Sequence, residues 1–251
     1  MNRDKVTFAF FGSSRFSFYV LDELGKAGFS PLLNITSARE DLPMDKLRAL
    51  NADVFIVASF GKILPKELIE MTKRKTLNVH PSLLPKLRGP APIQGTILGK
   101  GSPGVTIIRM DEKIDHGPVV AQEAVAIRPW PDHYATVEEK LGRAGGRILA
   151  GILPQWIRGE IQEVSQDDSK ATYIKLIKKE DGLLNLEDSP EENLRKVLAY
   201  STWPGAHLFF KRKAGSEVRG VVKEAKVEEG KFVPTKVIPA GKREMDWADF
   251  L

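Results

Sequence analysis

Two side chains with acid–base and hydrogen-bonding chemistry stand two residues apart in the sequence. Asn78 and His80 close a short, apolar, β-rich run at residues 76–80. Because successive side chains of a strand point to opposite faces, residues two apart share one face. A carboxamide beside an imidazole could hold a carbonyl oxygen and supply or accept a proton. The structural alternative is a buried histidine that makes only internal hydrogen bonds.

A carboxylate follows the next predicted strand. Asp115, followed by His116 and Gly117, comes shortly after the apolar run 104–110. In a parallel sheet this position lies at the same carboxyl edge as His80, where ligands bind. We therefore expect Asp115 to orient His80 and to set its charge state. The alternative is an Asx turn at Asp115, with Gly117 completing a tight turn.

A metal site and a serine nucleophile fit these residues poorly. His80, Asp115 and His116 lack the two histidines four residues apart that mark a helical zinc site. Ser82 lies in a proline-bracketed segment without the glycine elbow of serine hydrolases. The chain has no cysteine, which excludes disulfides, thiolate metal sites and a thiol nucleophile. We expect neither a metal nor a covalent intermediate.

The elements that position these residues alternate between strands and helices. Helices are predicted after Ser13 or Ser14, from Pro65, and over 133–158, where Pro154 is expected to kink or end the helix. Strands are predicted at 6–11, 29–36, 53–58, 76–80, 104–110 and 119–127. This alternation predicts an α/β fold with a Rossmann-like, open, mostly parallel sheet.

The pattern changes after residue 165. A polar segment, 166–181, is predicted to link a catalytic domain at 1–165 to a second domain at 182–251. The second domain has a helical pattern at 191–199, followed by short β-like runs separated by Gly and Lys turns. We expect a small β-rich domain, a shortened OB-like barrel.

The charge and hydropathy patterns are those of an ordinary globular protein. The chain has 38 basic and 33 acidic residues, a net charge of +5. Its two basic runs are residues 73–75 and 211–213. Each could contact an anionic partner or could simply be part of the solvated surface. No signal-peptide pattern opens the sequence, and no run approaches the roughly 18 apolar residues of a membrane span. We expect a cytoplasmic protein without a membrane partner.

Several motifs resemble the folate-dependent formyltransferase family. The central ones are NVHPSLLPKLRGPAPIQGTIL at 78–98 and GVTIIRMDEKIDHGPVVAQ at 104–122. The runs FFGSSRFS at 10–17 and ASFGKILP at 58–65 resemble its first and third strands with their loops. SKATYIKLIKKEDG at 169–182, WPGA at 203–206 and PAGK at 239–242 narrow the resemblance to the methionyl-tRNA formyltransferase branch.

This resemblance implies a reaction and its participants. The donor would be 10-formyltetrahydrofolate, and the acceptor the α-amine of methionyl initiator tRNA. The implied catalytic residues are Asn78, His80 and Asp115. The implied folate-binding residues are Ser82, Leu83, Leu84 and Pro85, with Ile63 and Leu64 near the pterin ring. The implied acceptor contacts are Phe16 at the methionine side chain, Arg88, and the basic residues Lys178, Lys211, Arg212 and Lys213. A monomer without metal is expected.

The segment after the second strand departs from that branch. Its members carry a long basic insertion there, whereas residues 34–46 contain only Arg39 and Lys46 as basic residues. The second domain is also short for a complete barrel. Both changes remove surface that would contact phosphates. A second possible function is therefore that of a nucleotide-amino-sugar N-formyltransferase, which would use the same donor with a different acceptor. A third is a binding module that has kept the fold without enzymatic activity.

Overall fold

The computed structural model describes residues 6–211 and 217–250. The chain forms two compact units, each built from three segments. The first unit comprises the chain up to Pro92, Gly101–Ala126 and Glu138–Ile174, and the second comprises Ile93–Lys100, Ile127–Val137 and the chain from Lys175 onward. The predicted linker, 166–181, is thus divided, and its first half belongs to the first unit.

A six-stranded sheet forms the centre of the first unit. Its order is β2-β1-β3-β4-β5-β6, and β2, β1, β3 and β4 are parallel neighbours. The strands are β1 (Phe8–Phe11), β2 (Leu33–Ile35), β3 (Val54–Val57), β4 (Thr76–His80), β5 (Gly104–Arg109) and β6 (Val119–Ala124). The apolar runs of β1 and β3 are buried throughout, as expected for parallel strands covered on both faces. The predicted mostly parallel α/β sheet is confirmed.

The strand that precedes Asp115 runs opposite to the prediction. β5 is antiparallel to β4, with Leu77 opposite Arg109 and His80 opposite Thr106. The carboxyl end of β5 therefore lies beside the beginning of β4, and not at the edge where His80 ends its strand. The sequence argument placed Asp115 at the carboxyl edge by assuming parallel strands, and that assumption is wrong.

Helices flank the sheet strands along the chain. α1 (Arg15–Lys26) begins at Ser14, whose side chain accepts from Ser17 N in a capping box. The following helices are α2 (Met44–Ala49), α3 (Lys66–Glu70), α4 (Pro92–Gly95), which continues into the turn Thr96–Lys100, and α5 (Tyr134–Arg158). α5 runs past Pro154, which therefore does not end it. Leu153 and Trp156 are both buried, and Trp156 Nε1 donates to Arg74 O at 3.1 Å, so packing outweighs the hydrogen bond lost at proline.

Glycines let α5 approach its neighbours closely. A Cβ at Gly145 would lie 2.6 Å from Val79 Cγ1, and one at Gly142 would lie 2.8 Å from Tyr19 Cβ. Any larger residue would force these elements apart. α5 thus packs directly against β4, the strand that carries Asn78 and His80.

The second unit contains a four-stranded antiparallel sheet. Its order is β10-β9-β8-β7, from the strands β7 (His207–Lys211), β8 (Glu217–Glu228), β9 (Lys231–Pro239) and β10 (Met245–Asp246). α6 (Pro190–Ala199) begins with a Ser189–Glu192 capping box, and α7 (Trp247–Phe250) follows β10. Buried side chains of α6 and the sheet, such as Val197, Leu208 and Val222, form its core. The predicted β-rich second domain is confirmed.

Of the helices in residues 6–211 and 217–250, none is both long and apolar enough to cross a membrane.

Candidate active site

Three polar side chains from two chain segments meet at the end of β4. Asn78 Nδ2 lies 3.4 Å from Asp115 Oδ1, and His80 Nδ1 lies 3.4 Å from the same oxygen. Asn78 and His80 reach one atom because residues two apart share a face of the strand. His80 is 4% exposed, whereas Asn78 and Asp115 are partly exposed. The arrangement is a pair of donors beside a carboxylate that solvent can reach.

The second nitrogen of His80 fixes the orientation of the ring. His80 Nε2 lies 3.0 Å from Leu87 O. A carbonyl oxygen only accepts, so the hydrogen of a neutral ring must sit on Nε2. Nδ1 then faces Asp115, to which it can donate only as an imidazolium. The carbonyl and the carboxylate together are therefore complementary to the charged ring.

A reversal of the chain after β5 brings Asp115 back to β4. A Cβ at Gly117 would lie 1.8 Å from Arg109 O, so only glycine allows the loop to fold against its own strand. Asp115 has a φ of 50°, an uncommon conformation that aspartate adopts more readily than most residues. Its Oδ2 accepts from Gly89 N at 2.8 Å. The reversal offsets the antiparallel direction of β5, which is why the expected residues still converge.

Gln166, at the start of the segment predicted as a linker, contacts this loop. Its Nε2 donates to Asp115 O at 2.9 Å and to Gly117 O at 2.7 Å. Its Oε1 accepts from Arg88 Nε at 3.1 Å and from Arg88 Nη2 at 2.8 Å. The segment 166–174 is joined to the loop after β4 by backbone bonds as well, including Arg88 N to Thr172 O at 2.9 Å.

Arg88 is buried among protein groups. Its side chain is 2% exposed, and Nη2 also donates to Asp168 Oδ1 at 2.8 Å. Nη1 donates to the hydroxyl of Tyr173 at 3.2 Å. The resemblance implied a contact between Arg88 and the acceptor, but in this structure its nitrogens bind Gln166, Asp168 and Tyr173.

The loop that follows His80 is held by internal hydrogen bonds. Ser82 is fully buried, and its hydroxyl donates to Lys86 O at 2.7 Å. Thr106 Oγ1 donates to Ser82 O at 2.6 Å and accepts from Leu84 N at 3.1 Å, while Gln122 Nε2 donates to Leu84 O at 2.8 Å. Leu84 is buried, and Leu83 and Pro85 are partly exposed. Leu83 and Pro85 therefore keep some exposed surface, whereas the Ser82 hydroxyl is engaged within the loop.

The remaining sequence-predicted residues lie in varied surroundings. Ile63 is 84% exposed on the loop after β3, and its neighbour Leu64 is 5% exposed. Phe16 is 1% exposed in α1, inside the core of the first unit. Lys178 lies in the second unit, where its backbone N donates to Asp181 Oδ2 at 2.7 Å. Lys211 ends β7, and Arg212 and Lys213 fall outside the described residues.

His116 faces away from the central group. Its Nδ1 lies 2.7 Å from Asp111 Oδ2, and its Nε2 lies 3.3 Å from Asp168 Oδ2. His80, Asp115 and His116 therefore do not point at a common centre. Within the part of the chain that the structure describes, no group of three His, Asp or Glu side chains is arranged to hold a metal ion.

Comparisons with known proteins show which proteins the chain resembles. Residues 23–153 match the model of the family described as formyl transferase. The methionyl-tRNA formyltransferase of Chloroflexus aggregans is 40% identical over 182 residues, which cover 72% of this chain and 59% of that protein. That of Bacillus licheniformis is 36% identical over 242 residues, covering 88% of this chain and 76% of the relative. The chain thus spans less than two thirds of the first relative's length.

Solved structures show the same fold. The methionyl-tRNA formyltransferase from Clostridium thermocellum aligns with a TM-score of 0.70 at 17% identity, covering 96% of this chain and all of that one. HypX from Aquifex aeolicus in complex with tetrahydrofolic acid aligns with a TM-score of 0.70 at 20% identity, covering 97% of this chain and 46% of that one. The sequence match over residues 23–153 and the relatives at 36–40% identity place the protein in a family: the chain belongs to the formyl transferases.

Proposed function

We propose that the protein transfers a formyl group from 10-formyltetrahydrofolate to the α-amine of methionyl initiator tRNA. The convergence of Asn78, His80 and Asp115 within 3.4 Å is the observation that carries this proposal. The names of the relatives support the acceptor, and the tetrahydrofolate complex of a protein with this fold supports the donor. The reaction belongs in the cytoplasm, where initiator tRNA is charged.

The chain supplies donors for the charge that develops in this reaction. When the amine lone pair attacks the formyl carbon, negative charge moves onto the formyl oxygen. Asn78 Nδ2 and His80 Nδ1 lie 3.4 Å from Asp115 Oδ1, which is long for a hydrogen bond, so both remain available to donate to an oxygen bound between them. A well-placed donor of this kind contributes about 3–4 kcal/mol to the transition state.

Proton transfer completes the reaction. The new C–N bond leaves a positive charge on the acceptor nitrogen, and we assign the removal of its proton to the Asp115 carboxylate, directly or through water. The bond between the formyl carbon and the donor nitrogen then breaks, and that nitrogen takes up a proton. An α-amine has an ordinary pKa of about 8, so a large share of the acceptor is neutral and nucleophilic near pH 7 once esterification lowers that pKa.

The proposal is tested by measuring formyl transfer with two acceptors in parallel. Purified protein and 10-formyltetrahydrofolate are incubated with methionyl initiator tRNA, or with a nucleotide-linked amino sugar. We expect N-formylmethionyl-tRNA and no formylated sugar. Transfer to the sugar alone would replace the proposed acceptor, and transfer to neither would remove the proposed function.

Two substitutions test the roles of the central residues. His80→Ala and Asp115→Ala should each lower kcat at least about 100-fold, because each acts on charge that forms only during the reaction. Affinity for tetrahydrofolate, measured by calorimetry, should change little. His133→Ala, a partly exposed histidine of the second unit, is the control and should keep its rate. A wild-type rate in either test variant would contradict the mechanism.

A further inference from the structure

The side chain of Gln166 joins two parts of the first unit through four hydrogen bonds. On one side it accepts twice from Arg88, and on the other it donates to Asp115 O and Gly117 O. The orientation of the amide is determined by its partners. Arg88 can only donate and a carbonyl can only accept, so the oxygen must face the guanidinium and the nitrogen must face the loop.

We propose that Gln166 is a positioning residue that holds the Asp115 carboxylate against His80. The kinetic part of this inference rests on the proposed function. Gln166 touches no reacting atom and acts through the backbone of Asp115, while Arg88 holds Gln166 in place.

The backbone of the Asp115 loop requires such support. Asp115 has a φ of 50°, which costs energy and persists only where neighbouring groups stabilise it. Gln166 Nε2 donates to the carbonyl oxygens of Asp115 and Gly117, and Gly89 N donates to the Asp115 carboxylate. Without the Gln166 donors, two carbonyls lose their partners and the peptide at Asp115 is able to rotate. The carboxylate would then leave its place 3.4 Å from His80 Nδ1.

Arg88 makes the support rigid. Its side chain is 2% exposed, and its contacts to Asp168 and Tyr173 prevent it from following a moving glutamine. Both residues lie in the segment 166–174, which also donates and accepts backbone hydrogen bonds along the loop after β4. The glutamine is therefore anchored at both ends, by Arg88 and by its own chain segment.

Gln166→Glu is the most informative variant, because it keeps the oxygen that accepts from Arg88 and removes the nitrogen that donates to the Asp115 loop. A carboxylate still accepts from Arg88 and keeps the segment attached, but it cannot donate to Asp115 O or Gly117 O. We expect kcat to fall about 10- to 100-fold, as misplacement of a reacting group does, with affinity for tetrahydrofolate unchanged. Gln155→Glu is the matched control, since Gln155 is exposed on α5, and it should leave the rate unchanged.

A double-variant cycle distinguishes positioning from general destabilisation. If Gln166 acts only through Asp115, then Gln166→Glu combined with Asp115→Ala is as slow as Asp115→Ala alone. Multiplicative losses in the double variant would overturn the inference. Gln166→Ala removes both the oxygen and the nitrogen of the amide, and it provides a second measurement if the first variant folds poorly.

An NMR measurement tests the inference without any activity. The amide proton of Gly89 donates to Asp115 Oδ2, so its chemical shift reports where the carboxylate lies. Gln166→Glu should move this signal toward its position in Asp115→Ala, and Gln155→Glu should not. An unmoved Gly89 signal would overturn the positioning role. An inactive wild-type protein with the expected NMR change would remove the proposed function and leave the role of Gln166 in place.

Discussion

Asp168 illustrates how one exposed carboxylate links two parts of the site. Its Oδ1 accepts from Arg88 Nη2 at 2.8 Å, and its Oδ2 lies 3.3 Å from His116 Nε2. The hydrogen bond from Arg88 lowers the pKa of Asp168 below its ordinary value of 3.8, burial partly opposes this, and the charge of His116 adds to it. The ionised form of Asp168 is therefore favoured in the folded protein.

This shift predicts a pH dependence of stability. Because the folded pKa of Asp168 lies below 3.8, its contribution is fully present above that pH and is lost as the pH falls through the folded pKa. We expect Asp168→Asn to be less stable than wild type at pH 6 and the difference to shrink below about pH 4. Melting temperatures across this range would show it, with the exposed Asp249→Asn as control. A difference that persists in acid would contradict the prediction.

At the residue scale the sequence indicated the donors but not their support. The two-residue spacing of Asn78 and His80 is a geometric property of any strand, so their shared face was predictable. Gln166 carries no comparable signal, because a single glutamine in a polar segment is typical of a linker. Its role depends on Arg88, 78 residues away, and only the folded chain brings the two side chains together.

The position of β4 depends on how closely α5 can pack. Gly145 faces Val79 of β4 and Val105 of β5, and its missing side chain sets the distance between helix and sheet. Gly151 lies in the same helix, is exposed, and has no atom within 4 Å of the place where a Cβ would stand. The helix thus contains glycines that packing requires, such as Gly145, and one that it does not, Gly151.

This contrast predicts opposite effects of one substitution. Gly145→Ala should lower the free energy of unfolding by about 1–3 kcal/mol, because its methyl group would lie 2.6 Å from Val79 Cγ1. It should also slow the reaction, because a displaced β4 moves Asn78 and His80. Gly151→Ala should stabilise the protein by about 0.5–1 kcal/mol, since alanine is the better helix former. Urea unfolding measures both, and equal effects would refute the packing argument.

At the element scale the strands and helices were largely predictable, and the direction of β5 was not. Apolar runs such as Thr76–His80 coincide with the observed strands because a buried strand needs a continuous apolar segment. The connection between β4 and β5 is long enough for either direction, so no residue in it distinguishes a parallel from an antiparallel neighbour. Pro154 does not end or break α5 as its local preference predicts, because the buried side chains of Leu153 and Trp156 on either side of it stabilise the helix.

The distribution of charge over the whole molecule bears on how it could bind a nucleic acid. The net charge is +5, and the connection from β2 to α2, residues 36–43, has Arg39 as its one basic residue beside Glu40 and Asp41. That loop offers little to a phosphate backbone. The run 211–213 in the second unit is a stronger candidate for such contacts, since it places three positive charges in succession.

We expect neutralising this run to change the salt dependence of tRNA binding. The triple variant Lys211→Ala, Arg212→Ala and Lys213→Ala should bind more weakly, and the slope of log affinity against log salt should shrink by about 2 to 3. The control replaces Lys223, Lys226 and Lys236, whose ammonium groups contact Ser201 O, Glu228 and Glu224. If the salt dependence of the test variant equals that of the wild type, the run is a solvated surface that does not contact tRNA.

The interleaving of the two units has a consequence for the order in which the protein is made. The chain passes between them five times, after residues 92, 100, 126, 137 and 174. Ile97 and Ile127, both buried in the second unit, leave the ribosome long before α6 and the C-terminal sheet do. Both side chains are synthesised before most of their unit, and a gene cut after residue 174 would place them on a different fragment from α6 and the C-terminal sheet.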